Sequence, residues 1–323
     1  MTDSEKIVKV GVVGVGHLGR YHVQKYAALP GAELVGISDL DQPRAAELAG
    51  QYHARVFADL DELCSQVDAV SVVVPTVDHC RVASRFLAAG VHVLLEKPIA
   101  ATLAEARELV AMADSRRVVL QVGHLERFNP VFTAAAKKIT APRFLEVHRL
   151  SPFTFRSVDI DVILDLMIHD IDLVLSLVKS PIRDIYAVGV PVLSHQVDIA
   201  NVRIHFANGA VCNLTASRVS VQRERKIRLF QQDTYFSLDL GNFSLIECAK
   251  KEFDYSAPIP AIDLHKEEFP DSDSLMLEIE SFLHAVRHHE QPVVSGRDGL
   301  AALEVAFLVK EAIAGQTAGS WPG

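Results

Sequence analysis

Asp165, His169 and Asp172 stand at i, i+4 and i+7 in the mostly apolar run Asp161-Val-Ile-Leu-Asp165-Leu-Met-Ile-His169-Asp170-Ile-Asp172. On an α-helix that spacing puts two carboxylates and an imidazole on one face. Burying such groups costs free energy unless they are paired or have a task. Two uses stand open: a polar edge of a core helix in which Asp165 satisfies His169, or a site in which the histidine moves a proton. Zinc would need further ligands at fixed geometry. The cysteines Cys64, Cys80, Cys212 and Cys248 are scattered, with no Cys-x-x-Cys pair, and read as reduced thiols of a cytoplasmic protein.

A second set lies near the N-terminus. Gly14-Val-Gly16-His17-Leu18-Gly19 follows the strand-like residues 7–13 and precedes the helical run 20–29. Gly14 permits a tight turn, Gly16 lets the backbone approach a pyrophosphate, and Gly19 lets helix and strand pack closely. The helix N-terminus then offers free N–H groups to phosphates. The next strand, residues 34–38, ends in Asp39, twenty positions after Gly19. A carboxylate there binds an adenosine ribose 2′-hydroxyl and repels a 2′-phosphate, so the expected cofactor is NAD.

The third set is Glu96-Lys97-Pro98, directly after the apolar residues 91–95. Lys97 is either a solvated loop charge or a group that stabilises a developing alkoxide beside a cofactor. Pro75, Thr76 and His79 follow another strand, and Gly123-His124-Leu-Glu126-Arg127-Phe-Asn129-Pro130 follows a third.

Strands alternating with helices through residue 123 imply a doubly wound parallel sheet, with ligands beyond the carboxyl ends of its strands. Strands are expected at 69–74, 91–95 and 118–122, and helices at 44–52, 59–66, 77–89 and 103–113. Beyond 123 the pattern becomes α+β. A helix at 162–178 is followed by strands at 182–192, 199–206, 210–218, 226–232, 235–240 and 244–249. Asn208-Gly209 signals a hairpin. Residues 253–274 read as an irregular connection before helices at 275–288 and 299–312. The expected division is 1–123, a dinucleotide-binding domain, and 124–323, a substrate-binding and oligomerisation domain built on a large open, mainly antiparallel sheet. Arg218, Arg223, Arg225, Lys226 and Arg228 form a basic cluster that is either a solvated or subunit-facing surface or a diphosphate site.

The 323 residues suffice for two domains, and 49% hydrophobic with 23% charged residues is ordinary for a soluble globular chain. A net charge of −9 gives no electrostatic basis for binding nucleic acid or an anionic membrane. No apolar run is long enough to span a bilayer, and Met1–Lys6 carries no apolar signal region.

Taken together, Gly14-x-Gly16-x-x-Gly19-x-x-His22, Pro75 with His79, Glu96-Lys97-Pro98, Asp165-x-x-x-His169 with Asp172, and Val294-Ser-Gly-Arg-Asp-Gly299 resemble the Gfo/Idh/MocA family of NAD(P)-dependent sugar and inositol dehydrogenases. The resemblance implies Lys97, Asp165 and His169 as the catalytic set. It also implies cofactor contacts from Gly14, Gly16, His17, Leu18, Gly19, Asp39, Pro75, Thr76, His79, Glu96 and Lys97. Val74-Pro75-Thr76 departs from the commoner Thr-Pro-Asn, and Leu164 and Leu166 stand where many members have glycines.

Residues 123–130, 165–172 and 216–230 resemble the subgroup that oxidises UDP-N-acetylglucosamine at C3, on the way to the 3-amino sugars of lipid A. Under that reading His124, Glu126, Arg127, Asn129, Asp172, Arg218 and Arg225 line the sugar-nucleotide pocket. No metal is required, because hydride transfer from an alcohol needs a base and a positioned acceptor. Family members commonly assemble as homodimers or homotetramers. The competing expectations are a dehydrogenase of a free sugar, inositol or UDP-N-acetylglucosaminuronate, and a non-catalytic dinucleotide sensor.

Overall fold

The computed structural model describes residues 7–154, 160–251, 262–270 and 272–317. The expectation for Met1–Lys6 lies outside the described residues. The chain divides into two compact units, Met1–Leu125 with Asp273–Ala301, and Glu126–Ser272 with Ala302–Gly323.

The first unit is built on six strands: β1 (Val8–Val13), β2 (Ala32–Ser38), β3 (Arg55–Val56), β4 (Ala69–Val72), β5 (His92–Glu96) and β6 (Leu120–Gly123). They run in the order β3-β2-β1-β4-β5-β6, every pairing parallel. Their connections are helices α1 (Gly19–Ala28), α2 (Gln42–Tyr52), α3 (Leu60–Cys64), α4 (Thr76–Ala88) and α5 (Leu103–Arg116). A parallel sheet is covered on both faces, which is why seven of the ten residues of β1 and β4 are Val or Ala and all but Lys9 are buried. The start of α5 is held by a reciprocal capping box between Thr102 and Glu105. The two-residue edge strand β3, in the stretch between two helical patterns, is too short to leave a periodic signal.

The second unit begins with a 3₁₀ turn at Leu125–Phe128, of which Leu125 belongs to the first, and with α6 (Pro130–Ala136). Its sheet has eight strands: β7 (Phe144–Leu150), β8 (Ile182–Val190), β9 (Ile199–Phe206), β10 (Val211–Ser217), β11 (Glu224–Gln231), β12 (Thr234–Asp239), β13 (Ser244–Lys250) and β14 (Ile262–Glu268). The order is β14-β13-β12-β11-β7-β10-β9-β8, and only β7 with β10 is parallel. Alternate residues of β7, β9 and β10 are buried, so one face is covered. Asn208-Gly209 turns the β9–β10 hairpin, with Gly209 at φ +83°.

Two departures from expectation have local causes. Residues 262–268, expected within an irregular connection, form edge strand β14. Its sequence Ile-Asp-Leu-His-Lys-Glu-Glu is almost wholly exposed, and a charged edge strand hides the alternation that marks a half-buried one. The remainder of that expected connection, 253–261, lies outside the described residues.

The second departure concerns the helix expected at 162–178. It begins as a π-helical turn, Ile163–Met167, and becomes α-helical only as α7 (Ile168–Val178). Ile168 N–H bonds Ile163 O, five residues back. Asp165 therefore sits on a widened turn and His169 on the α-helical part, so no single α-helical face carries Asp165, His169 and Asp172. Single π turns inside helices are frequent at functional sites.

The last helices are α8 (Ser274–His288) and α9 (Gly296–Thr317). A single cut at 123/124 would assign α8 to the second unit. Instead Asp273–Ala301 joins the first. Ile279, Phe282 and Leu283 of α8 are buried in one core with Val10, Val12, Val23 and Tyr26. Each side chain of that size contributes about 1.5–3 kcal/mol on burial. Arg287 adds a donor to Gly31 O at 2.7 Å.

Candidate active site

The glycine loop behaves as its spacing predicts. Gly14 has φ +84°, and a Cβ there would lie 2.4 Å from Val73 O. A Cβ on Gly19 would meet Gly14 O at 1.8 Å, so the close packing of α1 on the loop depends on its absence. Gly16 differs: an added Cβ meets nothing within 4 Å. The bare backbone there faces open space, and no side chain caps the start of α1. Both features fit a pyrophosphate. His17 and Leu18 are exposed at the tip, and His17 packs edge-on to Tyr21 at 5.8 Å.

Asp39 closes the loop from β2. Its Oδ2 accepts Val15 N–H at 2.7 Å, while Oδ1 accepts Asp41 N–H and Arg44, each at 2.8 Å. Burial opposes ionisation, but these donors outweigh it and hold the carboxyl below its usual range. An ionised carboxylate at the end of the second strand suits a ribose diol. Gly16, the α1 terminus and Asp39 together fit NAD.

At the end of β4, Pro75 caps α4 and Thr76 opens it. His79 is buried, with Nδ1 2.8 Å from Pro98 O and Nε2 2.9 Å from Val74 O. Expected as a cofactor contact, it links Pro98 to Val74, just after β4, through its two ring nitrogens. Burial pushes its pKa down, so the neutral imidazole has a single N–H for which the two carbonyls compete. The Lys97–Pro98 peptide is cis.

Glu96 points inward from this turn. Its Oε2 accepts Lys97 N–H at 3.2 Å, and its Oε1 lies 3.2 Å from His22 Nε2. Gly123 leaves it room, since a Cβ there would come within 3.1 Å of Oε2. Burial raises the Glu96 carboxyl, but His22 and Lys97 overcome that and set it below the usual value. Lys97 is half-buried, and His124, also of the first unit, is buried behind β6.

In the second unit, Asp165 and His169 are half-buried on the π turn and the first turn of α7. The start of this helix is pinned by Asp161: Oδ1 accepts Leu164 N–H at 3.0 Å, and Oδ2 pairs with Lys310 at 2.7 Å. Beneath α7 lies a buried ion cluster. Arg149 grips Asp170 with Nε and a terminal nitrogen, both at 2.8 Å, and its other nitrogen reaches Glu126 at 3.0 Å. Burial opposes the Arg149 charge, but Asp170 and Glu126 outweigh it and hold the guanidinium above its usual pKa. Burial pushes the Asp170 carboxyl up, and Arg149 pulls it back.

The residues expected to contact substrate are drawn into this framework. Glu126 also receives Asn129 Nδ2 at 3.2 Å and Arg225 at 3.4 Å. Asn129 caps α6 and donates to Leu240 O. Asp172 pairs with Arg127 at 3.5 Å. Arg218 is buried, bonding Asp198 at 2.8 Å, Ile160 O at 2.6 Å and Ser194 Oγ at 3.0 Å. Lys226 and Arg228 pair with Asp239 and Glu146 across sheet neighbours. These contacts account for much of the basic cluster without a diphosphate.

Arg149, Asp170 and Asp198 carried no expectation. Arg149 had a signal: it shares the buried face of β7 with Leu145 and Val147, where a charge demands a partner. No cluster of His, Cys, Asp and Glu able to hold a metal occurs among the described residues, and none of their helices is long and apolar enough to cross a membrane. The cysteines are free thiols.

Comparison with known proteins agrees with this architecture. Residues 8–124 match the oxidoreductase family with an NAD-binding Rossmann fold, and residues 144–235 match the GFO/IDH/MocA C-terminal domain. The chain is 42% identical over 310 residues to UDP-N-acetylglucosamine 3-dehydrogenase of Acidithiobacillus ferrooxidans, covering 95% of this chain and 97% of that one. A solved structure of that enzyme superposes with a TM-score of 0.90 at 41% identity, over 95% of this chain and 98% of the other. An inositol 2-dehydrogenase of Rhizobium meliloti is 26% identical over 95% of this chain and 97% of its own. With an NAD cradle on a parallel sheet, a Glu-Lys-Pro turn at a strand end and both family domains matched in order, the chain belongs to the Gfo/Idh/MocA family of NAD-dependent oxidoreductases.

Proposed function

We propose that this NAD-dependent dehydrogenase oxidises the C3 hydroxyl of UDP-N-acetylglucosamine to a ketone, the supply step for a 3-amino sugar nucleotide of lipid A. The observation that carries this reading is the 42% identity, along 95% of the chain, to an enzyme of that activity.

Gly14, Gly16, Gly19 and Asp39 hold the dinucleotide, which when bound supplies the hydride acceptor. Lys97, fixed by the Glu96 and Pro98 contacts, donates a hydrogen bond to the reacting oxygen and stabilises its developing negative charge. His169 accepts the hydroxyl proton, and Asp165 orients the imidazole and favours its charged form. Arg127 and Asp172, paired beside the same helix, shape the sugar pocket. Arg225, about half exposed despite its contact with Glu126, is the basic residue we assign to a phosphate. A homodimer or homotetramer in the cytoplasm completes the reading, with exposed Tyr186, Val188 and Val190 on β8 as apolar surface for assembly.

The test is incubation of the purified protein with NAD and a panel of UDP-N-acetylglucosamine, UDP-N-acetylglucosaminuronate, free hexoses and inositols. NADH formation with UDP-N-acetylglucosamine and NMR of a 3-keto product are the expected result. Reduction of NAD by a free sugar or inositol alone would remove the sugar-nucleotide assignment. NAD binding without turnover of any substrate would leave a dinucleotide sensor.

A further inference from the structure

Behind the Lys97 turn the first unit buries a line of polar side chains from three different elements. His22 and Tyr26 come from α1, Ser71 from β4 and Glu96 from β5. Tyr26 OH lies 2.8 Å from Ser71 Oγ, Ser71 Oγ lies 3.1 Å from His22 Nδ1, and His22 Nε2 lies 3.2 Å from Glu96 Oε1. Tyr26, His22 and Ser71 are each no more than 1% exposed. Hydrogen-bond chemistry orders this line. A carboxylate only accepts, so His22 Nε2 carries a hydrogen. Burial holds the Tyr26 phenol far above its usual pKa, so it keeps its hydrogen and donates to Ser71. The Ser71 hydrogen is then left for His22 Nδ1. Every donor in the line points toward Glu96, whose other oxygen holds Lys97 N–H.

Across the core from this line, α8 supplies a second carboxyl, Glu278. It is 0% exposed and stands beside Ile279 on the face of α8 that carries Phe282. Among the described residues, neither of its carboxyl oxygens has a hydrogen-bond partner, and nor does the buried Gln121 Oε1. Gln121 Nε2 donates to the Glu278 backbone O at 3.1 Å. An unpaired carboxylate in such a place is far more costly than the neutral acid. Burial and the negative charge of Glu96 both push the Glu278 carboxyl well above its usual range. Two carboxyls within electrostatic reach thus divide one charge unequally.

The geometry points to a positioning assembly for the proposed catalytic lysine: His22, oriented by Ser71 and Tyr26, fixes the Glu96 carboxylate that holds the Lys97 backbone, and Glu278 keeps its proton so that Glu96 alone carries the charge. None of these five residues needs to touch substrate. The inference rests on the dehydrogenase reading insofar as Lys97 acts on substrate, and its charge assignment stands without it. The titratable groups facing Glu96 are His22 from α1, Lys97 on its own turn, His79 from α4 and Glu278 from α8, while Tyr26 faces Ser71 and Glu278.

Two measurements test it. The first is infrared difference spectroscopy of wild type against Glu278→Gln at neutral pH. The expected difference is loss of the C=O stretch of a protonated carboxylic acid. Loss of carboxylate stretches instead overturns the inference. The second is kcat with UDP-N-acetylglucosamine, together with the infrared titration of Glu96 by difference against Glu96→Gln, for His22→Ala and for His22→Gln, which keeps an N–H donor. With the His22 donor gone, Glu96 protonates at higher pH. The pH at which the Glu96 carboxylate forms should move up by about one pH unit in His22→Ala, with kcat lowered roughly 10- to 100-fold and partial recovery of both in His22→Gln.

A lowered kcat with an unmoved Glu96 titration would mean that His22 only fills space, and would overturn the positioning role. If His22→Ala fails to fold by thermal melting, the Glu96 titration of His22→Leu, which keeps the bulk and removes the donor, is read against wild type with the same expectation. If wild type turns over no substrate, the functional reading fails separately. The infrared titration of Glu96, obtained by difference against Glu96→Gln, then decides the inference: its carboxylate must form at lower pH in wild type than in the His22 variant.

Discussion

The two units bury polar side chains by opposite means. In the second, the groups under the Asp165–His169 helix are ion pairs with several contacts each: Arg149 with Asp170 and Glu126, and Arg218 with Asp198. Asp198 also accepts the Ser194 hydroxyl and the N–H groups of Val192, Leu193 and Ser194, which hold it well below the carboxylate range despite burial. In the first unit, the groups behind Lys97 form a line of largely uncharged hydrogen bonds ending in one carboxylate, with a second carboxyl left unpaired. Opposite charges locked by two or three contacts make a rigid support. A hydrogen-bonded line with a single charge stays responsive to protonation. A dehydrogenase that releases a proton at each turnover needs both, a fixed platform for one group and a tunable environment for another.

The largest effects expected are on turnover. Lys97→Ala and His169→Ala should each lower kcat by on the order of 10² to 10⁴, with NAD binding by fluorescence titration retained. Near-normal rates in both variants would remove the catalytic assignment from both units at once.

Stability separates the units next. Arg149→Leu leaves Asp170 and Glu126 buried without their partner and should cost about 3–5 kcal/mol in denaturant unfolding. Replacing Arg149, Asp170 and Glu126 together with apolar residues should restore much of that, because the desolvation cost disappears with the charges. A triple variant as unstable as Arg149→Leu would show that the cluster acts through shape and not through charge.

The glycine loop offers an internal contrast. Gly19→Ala forces a Cβ against Gly14 O and should lower the melting temperature, whereas Gly16→Ala adds a methyl to open space. Gly16→Ala should therefore keep the wild-type melting temperature in the absence of NAD and lose affinity for NAD. Unchanged affinity would mean that the pyrophosphate does not approach Gly16.

These contrasts also explain what the sequence made legible. The parallel sheet, the glycine loop and Asp39 were readable because each depends on local residue types at fixed spacing. The same holds for the β9–β10 hairpin, set by Asn208-Gly209. Tertiary pairing was not readable that way. Glu126, Asn129, Asp172 and Arg218 have the chemistry of substrate contacts, and only the fold reveals that their partners are Arg149, Leu240 O, Arg127 and Asp198. The π turn escaped because its signature is a backbone bond from Ile168 to Ile163 and not a residue type. Glu278 could have been noticed: it falls between Leu275, Ile279 and Phe282 on the apolar stripe of α8, where an acid is out of place.

That misplaced acid gives the pH-dependent prediction. In the unfolded chain Glu278 ionises near pH 4, at about the free glutamate value, whereas in the folded protein burial and Glu96 keep it protonated to much higher pH. Between the two values the folded state binds the extra proton, so stability falls as pH rises, by at most about 1.4 kcal/mol per pH unit from this group. Asp198 works in the opposite sense: its folded pKa is depressed, so its contribution is present at neutral pH and is lost only as pH falls below the usual carboxylate range. Glu278→Gln should therefore flatten the decline of unfolding free energy from pH 5 to pH 8, measured by urea titration, and leave the acid-side loss in place. An unchanged slope would mean that Glu278 ionises in the folded protein and that the two interiors differ less than their hydrogen bonds imply.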